Sequence, residues 1–271
     1  MKDLFDIEGK NILITGGTGV LGSEWSKYLA GQGANLIILG RKLSEAQTVV
    51  DDITKHGGKA TPFGCDVTNE ENLKSVSNTV KSQFGSLDVL INAAGGNMAR
   101  AIISPEQTLL DSDVEALRKI IDLNYVGTYL SIKSFLPLFL DDRKGSIINI
   151  SSMSAERPLT RVMGYSSAKA AIDNLTKWLA IEFAKKYGEG LRVNAVAPGF
   201  FLTKQNKELL TNTDGSYTDR ANQIIGNTPM SRFGQPNELF GAIHYLSSDA
   251  SKFVTGTVLS VDGGFGAYSG V

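Results

Sequence analysis

Cysteine, histidine and surplus charge are what this sequence has least of. Cys65 is the single cysteine in 271 residues, so an internal disulfide is excluded and a reducing compartment suits the chain. Its setting reads as that of a small core residue in a strand. His56 and His244 have no partners at triad or metal spacing, and no Cys/His/Asp cluster has the spacing of a metal site, so both histidines are expected to be structural. Lys and Arg number 27 against 28 Asp and Glu. That balance cannot neutralise a phosphate backbone, which argues against nucleic acid or an anionic membrane as partner. No apolar run reaches the roughly 18 residues that span a bilayer, and the opening MKDLFDIEGK lacks the charged-then-apolar pattern of a secretory signal. A soluble, cytoplasmic protein is expected.

What is present is the composition of a globular α/β protein: 42% hydrophobic residues, 20% charged, and 29 glycines for tight turns. Short β-branched or leucine-rich runs at 11–15, 34–39, 59–66, 87–92, 145–151, 191–197 and 257–264 alternate with helical periodicity at 20–32, 43–57, 69–84, 112–140, 164–187 and 236–247. That order predicts one doubly wound α/β domain over 1–271, with a seven-stranded, mainly parallel sheet and helices on both faces. Ligands should then sit beyond the carboxyl ends of the strands. The stretch 198–236 is too long for a plain connection. Its part from about 200 to 234 is expected to carry short helices and to act as a lid over substrate.

The motifs lie at those strand ends. TGGTGVLG (15–22) follows the first strand and fits the Gly17-x-Gly19-x-x-Gly22 dinucleotide fingerprint. Its glycines allow a tight turn, close backbone approach to a pyrophosphate and close helix packing. Another register, Gly16-x-x-Gly19-x-x-Gly22, resembles sugar-nucleotide epimerases. INAAG (91–95) ends the fourth strand with small residues against which a flat ring could lie. In CDVT (65–68), Asp66 and the Val67 amide are placed to meet an adenine, or Asp66 to cap a helix.

Tyr165 and Lys169 stand four apart in a predicted helix, so one face carries a phenol and a cation. Lowering a phenol from near 10 toward 7 takes about 4 kcal/mol of differential stabilisation of the phenolate, and a nearby ammonium is one source. Ser152, just past the fifth strand, can hydrogen-bond the same substrate oxygen.

With these motifs, and Asn124 in IDLNYVG, VNAVAPG and the terminal VDGG, nearly the whole chain resembles the short-chain dehydrogenase/reductase family in its short single-domain form. The resemblance implies a Rossmann-type fold, an NAD(P)(H) cofactor and hydride transfer between a carbonyl and an alcohol. It makes Tyr165 the general acid/base, gives Ser152 the substrate oxygen, has Lys169 lower the tyrosine pKa and hold the nicotinamide ribose, and has Asn124 keep a water in a proton relay. Asn124 could otherwise simply bond backbone in its helix. Cofactor contacts carried over by position are Gly16, Thr18, Gly19, Val20, Leu21, Gly22, Arg41, Asp66, Val67, Asn92, Ala93, Ala94, Gly95, Tyr165, Lys169, Pro198, Gly199 and Thr203. The family usually has glycine where Val20 stands, and Gly19 is expected to supply that freedom. A homotetramer or dimer is implied, with Phe135, Leu136, Leu138, Phe139, Trp178 and Phe183 as surplus apolar positions, unless these are core.

The second strand ends in Gly40, Arg41 and Lys42 with no acid for a ribose 2′-hydroxyl, so NADP(H) is slightly favoured over NAD(H). The segments 93–101, 200–223 and 263–271 are similar to bacterial D-mannonate oxidoreductases (fructuronate reductases) of this family. A keto sugar acid is therefore the expected substrate, with Asn97, Ser154, Arg157, Lys204 and Asn206 as its candidate contacts and Arg100, Arg161 and Lys207 as further polar groups near the mouth. The alternatives are another carbonyl substrate (a gluconate-type keto acid, a steroid or a 3-oxoacyl thioester), a non-catalytic dinucleotide sensor, or an epimerase. The sensor reading is opposed by the complete catalytic set. The epimerase reading is opposed by a sheet pattern that closes near residue 264 with no second lobe.

Overall fold

The computed structural model describes residues 3–203 and 207–270. Seven strands, β1 (Asn11–Thr15), β2 (Asn35–Gly40), β3 (Lys59–Gly64), β4 (Val89–Asn92), β5 (Gly145–Ile150), β6 (Leu191–Pro198) and β7 (Val258–Val261), form one sheet in the order β3-β2-β1-β4-β5-β6-β7. Every pairing is parallel. The expected strands agree within two residues except the last, which stops three residues early. There Gly263 and Gly264 turn the chain out of the sheet with φ of 64° and 89°.

The helices are α1 (Val20–Gly31), α2 (Leu43–Lys55), α3 (Glu70–Phe84), α4 (Val114–Ile121), α5 (Gly127–Phe135), α6 (Pro137–Leu140), α7 (Met163–Tyr187), α8 (Lys207–Leu210), α9 (Asp219–Gly226) and α10 (Phe240–Ser247). Strand periodicity of two divides the core. Ile12, Ile14, Leu36 and Ile38 pack with α1, α2 and α10 on one face, and Leu13, Ile37 and Leu39 with α3, α5 and α7 on the other. Strands buried on both faces are continuous apolar runs for this reason. Strand order reverses between β1 and β4, which opens the crevice above their carboxyl ends.

The helix expected over 112–140 is not continuous. A π-helical turn at Asp122–Val126 separates α4 from α5, and Pro137 starts α6 as a fresh turn. Phe135, Leu138, Phe139 and Phe183 are core and Leu136 is partly covered, so most of the apparent surplus is interior. Trp178, 57% exposed, and Ile181 remain on one outward stripe of α7.

Between β6 and α10, residues Leu210, Ala221, Ile224 and Phe233 form a small cluster of their own, with Phe200, Leu202 and Ile225 against it. The insertion is therefore a folded satellite carrying short helices, as expected, in α8 and α9. Among the described residues no helix is long and apolar enough to cross a membrane. His244 is structural, bonded to Tyr28 Oη and the Phe5 carbonyl, whereas His56 lies exposed beside Asp52.

Candidate active site

The first turn is held by one unusual backbone angle. Gly16 has φ +65°, and a Cβ there would come within 2.7 Å of Ala94 Cα, so only glycine lets the β1 and β4 turns meet. The Ala94 amide donates to Thr15 Oγ1 at 3.2 Å across the same junction. Gly22 packs under the Gly16 carbonyl with no room for a side chain.

Gly19 does not supply the freedom expected of it: its φ of −71° is ordinary, and it serves as the N-cap of α1, with Val20 as the first helical residue. Valine at 20 therefore strains nothing. That N-terminus has no side-chain cap and no acid in its first turn, whereas α3 has Asn69 bonded to the Asn72 amide and Glu70 and Glu71 behind it. The bare amides of α1 and its positive dipole end suit an anion.

Thr18 packs against Gly40, and Arg41 follows in an exposed position. Asp66 is not a helix cap. Its Oδ1 accepts from the Thr68 amide and hydroxyl at 2.9 and 2.7 Å, and the cap of α3 is Asn69. Cys65 is buried and lies just beyond β3 rather than in it, and burial lifts its thiol to about 11. Val67 is covered by Gly127, where a Cβ would stand 2.8 Å from its methyl. Asn92 ends β4 with Nδ2 donating to Asn149 Oδ1 at 2.9 Å, while its buried Oδ1 has no partner among the described residues. Pro198 ends β6, and Gly199 after it is tight against Asp262. Thr203 begins the insertion, and its carbonyl accepts from Lys207.

The catalytic candidates do come together. Ser152 follows β5, and its Oγ accepts from the Ser154 amide at 3.2 Å and bonds the Ser154 hydroxyl at 3.0 Å. It is also the polar group near enough to the Tyr165 phenol to favour its ionised form. Tyr165 sits in the first turn of α7 beside Gly164, where a Cβ would stand 2.7 Å from Leu117 and keep α4 away. Lys169, 4% exposed, donates from Nζ to the Ile150 carbonyl at 2.7 Å and lies 5.4 Å from the centre of the Tyr165 ring.

The expected effect of Lys169 on the phenol is not what this geometry produces. The ammonium is hydrogen-bonded to the Ile150 carbonyl and lies over the ring, and it is not among the groups that shift the phenol. Burial pushes Tyr165 above its usual value near 10, with the Ser152 hydroxyl offsetting part of the shift. Burial also lowers Lys169 to about 8, against the pull of Asp173.

Asn124 stands on the π-helical turn. Its Nδ2 donates to the Gly96 and Ile120 carbonyls at 2.8 and 2.9 Å, and its Oδ1 accepts from the Gly96 amide at 3.0 Å. Asn124 thus bonds its own helix, as the second of its two readings has it, and also fixes the β4 loop. Gly95 in that loop is small because a Cβ would lie 2.6 Å from Asn124 Oδ1 and 3.4 Å from Lys169 Nζ.

Of the substrate candidates, Ser154 is buried behind Ser152 and orients it rather than facing a ligand. Arg157 donates to the Gly266 carbonyl at 3.0 Å and pins the C-terminal segment. Arg100 is engaged with Asp113 at 2.5 Å, and the Asn97 side-chain Oδ1 accepts from the Met98 amide at 3.0 Å. Lys207 is exposed at the start of α8, and Lys204 and Asn206 lie outside the described residues. Arg161 lines a cavity of about 740 Å³ with Phe200 and residues of the insertion.

Sequence reasoning missed Arg220, which shares that cavity, and Asp173. Asp173 was legible, being four residues after Lys169 on the same helical face. Burial raises its carboxyl, Ser151 offsets part of this, and its Oδ1 has no partner among the described residues. Arg220 carries no such signal, since only the packing of the insertion turns it inward.

A family model described as "Enoyl-(Acyl carrier protein) reductase" matches residues 19–266. The chain belongs to the short-chain dehydrogenase/reductase family. An uncharacterized oxidoreductase of Bacillus subtilis is 44% identical over 98% of both chains. A solved structure named as a "putative D-Mannonate oxidoreductase" from Haemophilus influenza, with bound NAD, is 45% identical over 98% of both chains, with a TM-score of 0.93. A gluconate 5-dehydrogenase from Burkholderia cenocepacia, in complex with NADP and tartrate, is 28% identical over 98% of both chains, with a TM-score of 0.86. As a member of this family the chain is an NAD(P)-dependent oxidoreductase acting on alcohol and keto groups of a small molecule.

Proposed function

We propose that this reductase interconverts D-fructuronate and D-mannonate, with Tyr165 as general acid in reduction and general base in oxidation. The observation that carries the acid/base part is the buried Tyr165 phenol with the Ser152 hydroxyl, itself held by Ser154, as its polar neighbour and the buried Lys169 ammonium over its ring. In reduction, Ser152 holds the carbonyl oxygen and Tyr165, kept neutral by burial, delivers a proton to it. In oxidation Tyr165 takes the proton of the substrate hydroxyl, with Ser152 holding the same oxygen. The bound nicotinamide nucleotide supplies or accepts the hydride.

The chain's own residues fit such a nucleotide. The bare N-terminus of α1, with Gly16, Thr18, Gly19, Val20, Leu21 and Gly22, would hold the pyrophosphate. Asp66 and Val67 would meet the adenine, and Asn92 to Gly95 and Lys169 the second ribose and ring, where the buried Asn92 Oδ1 has no partner among the described residues. Pro198, Gly199 and Thr203 would close the far end. Arg41 at the end of β2, with no acid beside it, slightly favours NADP(H) over NAD(H), and the Haemophilus relative's NAD makes both cofactors part of the test. The exposed Trp178 and Ile181 offer a surface for a homotetramer or dimer, readable by light scattering.

The sugar-acid assignment rests on the 45% identical Haemophilus protein. Incubation with D-fructuronate and NADPH or NADH, following loss of reduced-cofactor absorbance, tests it. No turnover with either cofactor removes it. A gluconate-type keto acid is the second reading, favoured by the Burkholderia relative, and a keto-acid and polyol panel separates the two.

A further inference from the structure

We propose that Arg161 and Arg220 form a clamp for a carboxylate on the substrate, which rests on the sugar-acid reading above and names the group by which the substrate is held. The two guanidinium groups come from separate elements and line one cavity, walled by Ile102, Phe200 and Leu210 with Asn212 at its edge. Arg100, Arg118 and Arg232 each pair with an acid. Among the described residues, neither Arg161 nor Arg220 has a carboxylate within 4.0 Å. Glu106 feels Arg161 only weakly, behind the Ser104 hydroxyl and its own backbone, and Asp219 sits beside Arg220 without pairing to it.

Two like charges sharing one partly dry cavity repel each other. Burial, and then Arg161, hold Arg220 below its usual value. An anion between them relieves both, and a planar carboxylate is the shape that guanidinium forks match.

The backbone fixes one jaw. Arg161 has φ of 72°, a conformation uncommon outside glycine, and its carbonyl is held by the Ile103 amide at 3.0 Å. It lies four residues before Tyr165, so their Cα atoms are at most about 14 Å apart. Val162 between them caps the helix that carries the phenol. The second jaw rides on α9 of the insertion. A carboxylate bridging the two would therefore draw the insertion onto the 102–103 and 161–162 strap while leaving the carbonyl end toward Ser152 and Tyr165.

The test compares D-fructuronate with D-fructose, which has a hydroxymethyl group where the acid has its carboxylate, on wild type, Arg161→Leu, Arg220→Leu and Arg220→Lys. The acid-to-neutral ratio of kcat/KM is expected to fall about 10- to 100-fold in each leucine variant, the size of one charge-assisted hydrogen-bonded pair, and to recover in part in Arg220→Lys. A ratio unchanged in both leucine variants overturns the clamp, because a loosened fold lowers both substrates together. If the wild type reduces no keto acid, the substrate reading fails separately. The clamp is then decided by calorimetric titration of D-gluconate into the nucleotide-saturated wild type and Arg220→Leu. Weaker binding by the variant upholds it, and equal binding, or none to the wild type, overturns it.

Discussion

Replacing Lys169 by methionine removes an ammonium from a nearly dry position while keeping a flexible apolar stem of similar reach. Burial depresses this lysine from 10.5 to about 8. At roughly 1.4 kcal/mol per pKa unit, that corresponds to about 3 kcal/mol charged against folding whenever the group must be protonated. The sign follows from proton counts. Between pH 8 and 10.5 the unfolded chain holds a proton that the folded chain has released, so stability rises with pH across that window. Below pH 8 the full cost is present, and above 10.5 it is gone.

Methionine abolishes the titration and adds a pH-independent loss of the bond to the Ile150 carbonyl, about 1–3 kcal/mol. The two effects nearly cancel at pH 7, where the variant should be close to wild type in stability yet inactive. By pH 10.5 the wild type should be ahead by a further 3 kcal/mol or so. Tyr165, raised above 10, bends both curves alike and cancels in the difference. Urea unfolding of both proteins without nucleotide, from pH 7 to 10.5, measures the gap, provided the m-values agree. Curves that stay parallel to within about 1 kcal/mol would refute the buried-charge account.

Tyr165→Phe should lower kcat by about 10²- to 10⁴-fold while nucleotide binding, followed by fluorescence, is retained; undiminished turnover would show that another group moves the proton. Because burial favours the neutral phenol, kcat/KM for D-mannonate oxidation should climb with pH above neutrality while reduction stays flat there, and an oxidation rate indifferent to pH would contradict this. Arg41→Ala should raise the KM for NADPH about 10-fold or more and leave NADH little changed; equal effects on both would remove Arg41 as the selector. Gly22→Ala forces a methyl into the Gly16 carbonyl, so thermal unfolding should report a loss of about 1–3 kcal/mol, with saturating nucleotide recovering part of it; a variant as stable as wild type would mean the turn yields freely.

The parts legible in the sequence are those whose signal is local. Alternating apolar runs named the seven strands, and the spacing of Tyr165 from Lys169 put them on one face. The position of Ser152 after β5 placed its hydroxyl beside them. What escaped depends on contacts between distant segments. The break at Asp122–Val126 is tied to Asn124 reaching the Gly96 loop, and no periodicity in 112–140 announces it. Ser154 looks like a mouth residue by position, yet the short helical turn after Ser152 rotates it inward. Arg100, Arg157 and Arg161 are equivalent cations on paper, and only packing shows that Asp113 and the Gly266 carbonyl take the first two.

The buried polar line behind the site explains why the local signal sufficed for the catalytic set. Asn92 Nδ2 donates to Asn149 Oδ1, Asn149 Nδ2 to Thr176 Oγ1, and Thr176 Oγ1 to the Ile172 carbonyl, at 2.9, 2.9 and 2.8 Å. This chain ties the end of β4 to β5 and then to α7 at Thr176, about two turns beyond Lys169. Buried side-chain bonds of this kind have no competing water and few alternative partners, so they fix the register of the helix on the sheet. Tyr165 and Lys169 are therefore positioned by elements that cannot shift independently of the nucleotide-facing strand ends. Arg220 sits on a satellite with its own small core, joined to the rest of the fold by chain and by bonds such as the Met230 amide to the Gly263 carbonyl just after β7. The Tyr165–Lys169 pair is thus set by the sheet and the Arg161–Arg220 cavity in part by the insertion, which is why the first could be read from the motifs and the second could not.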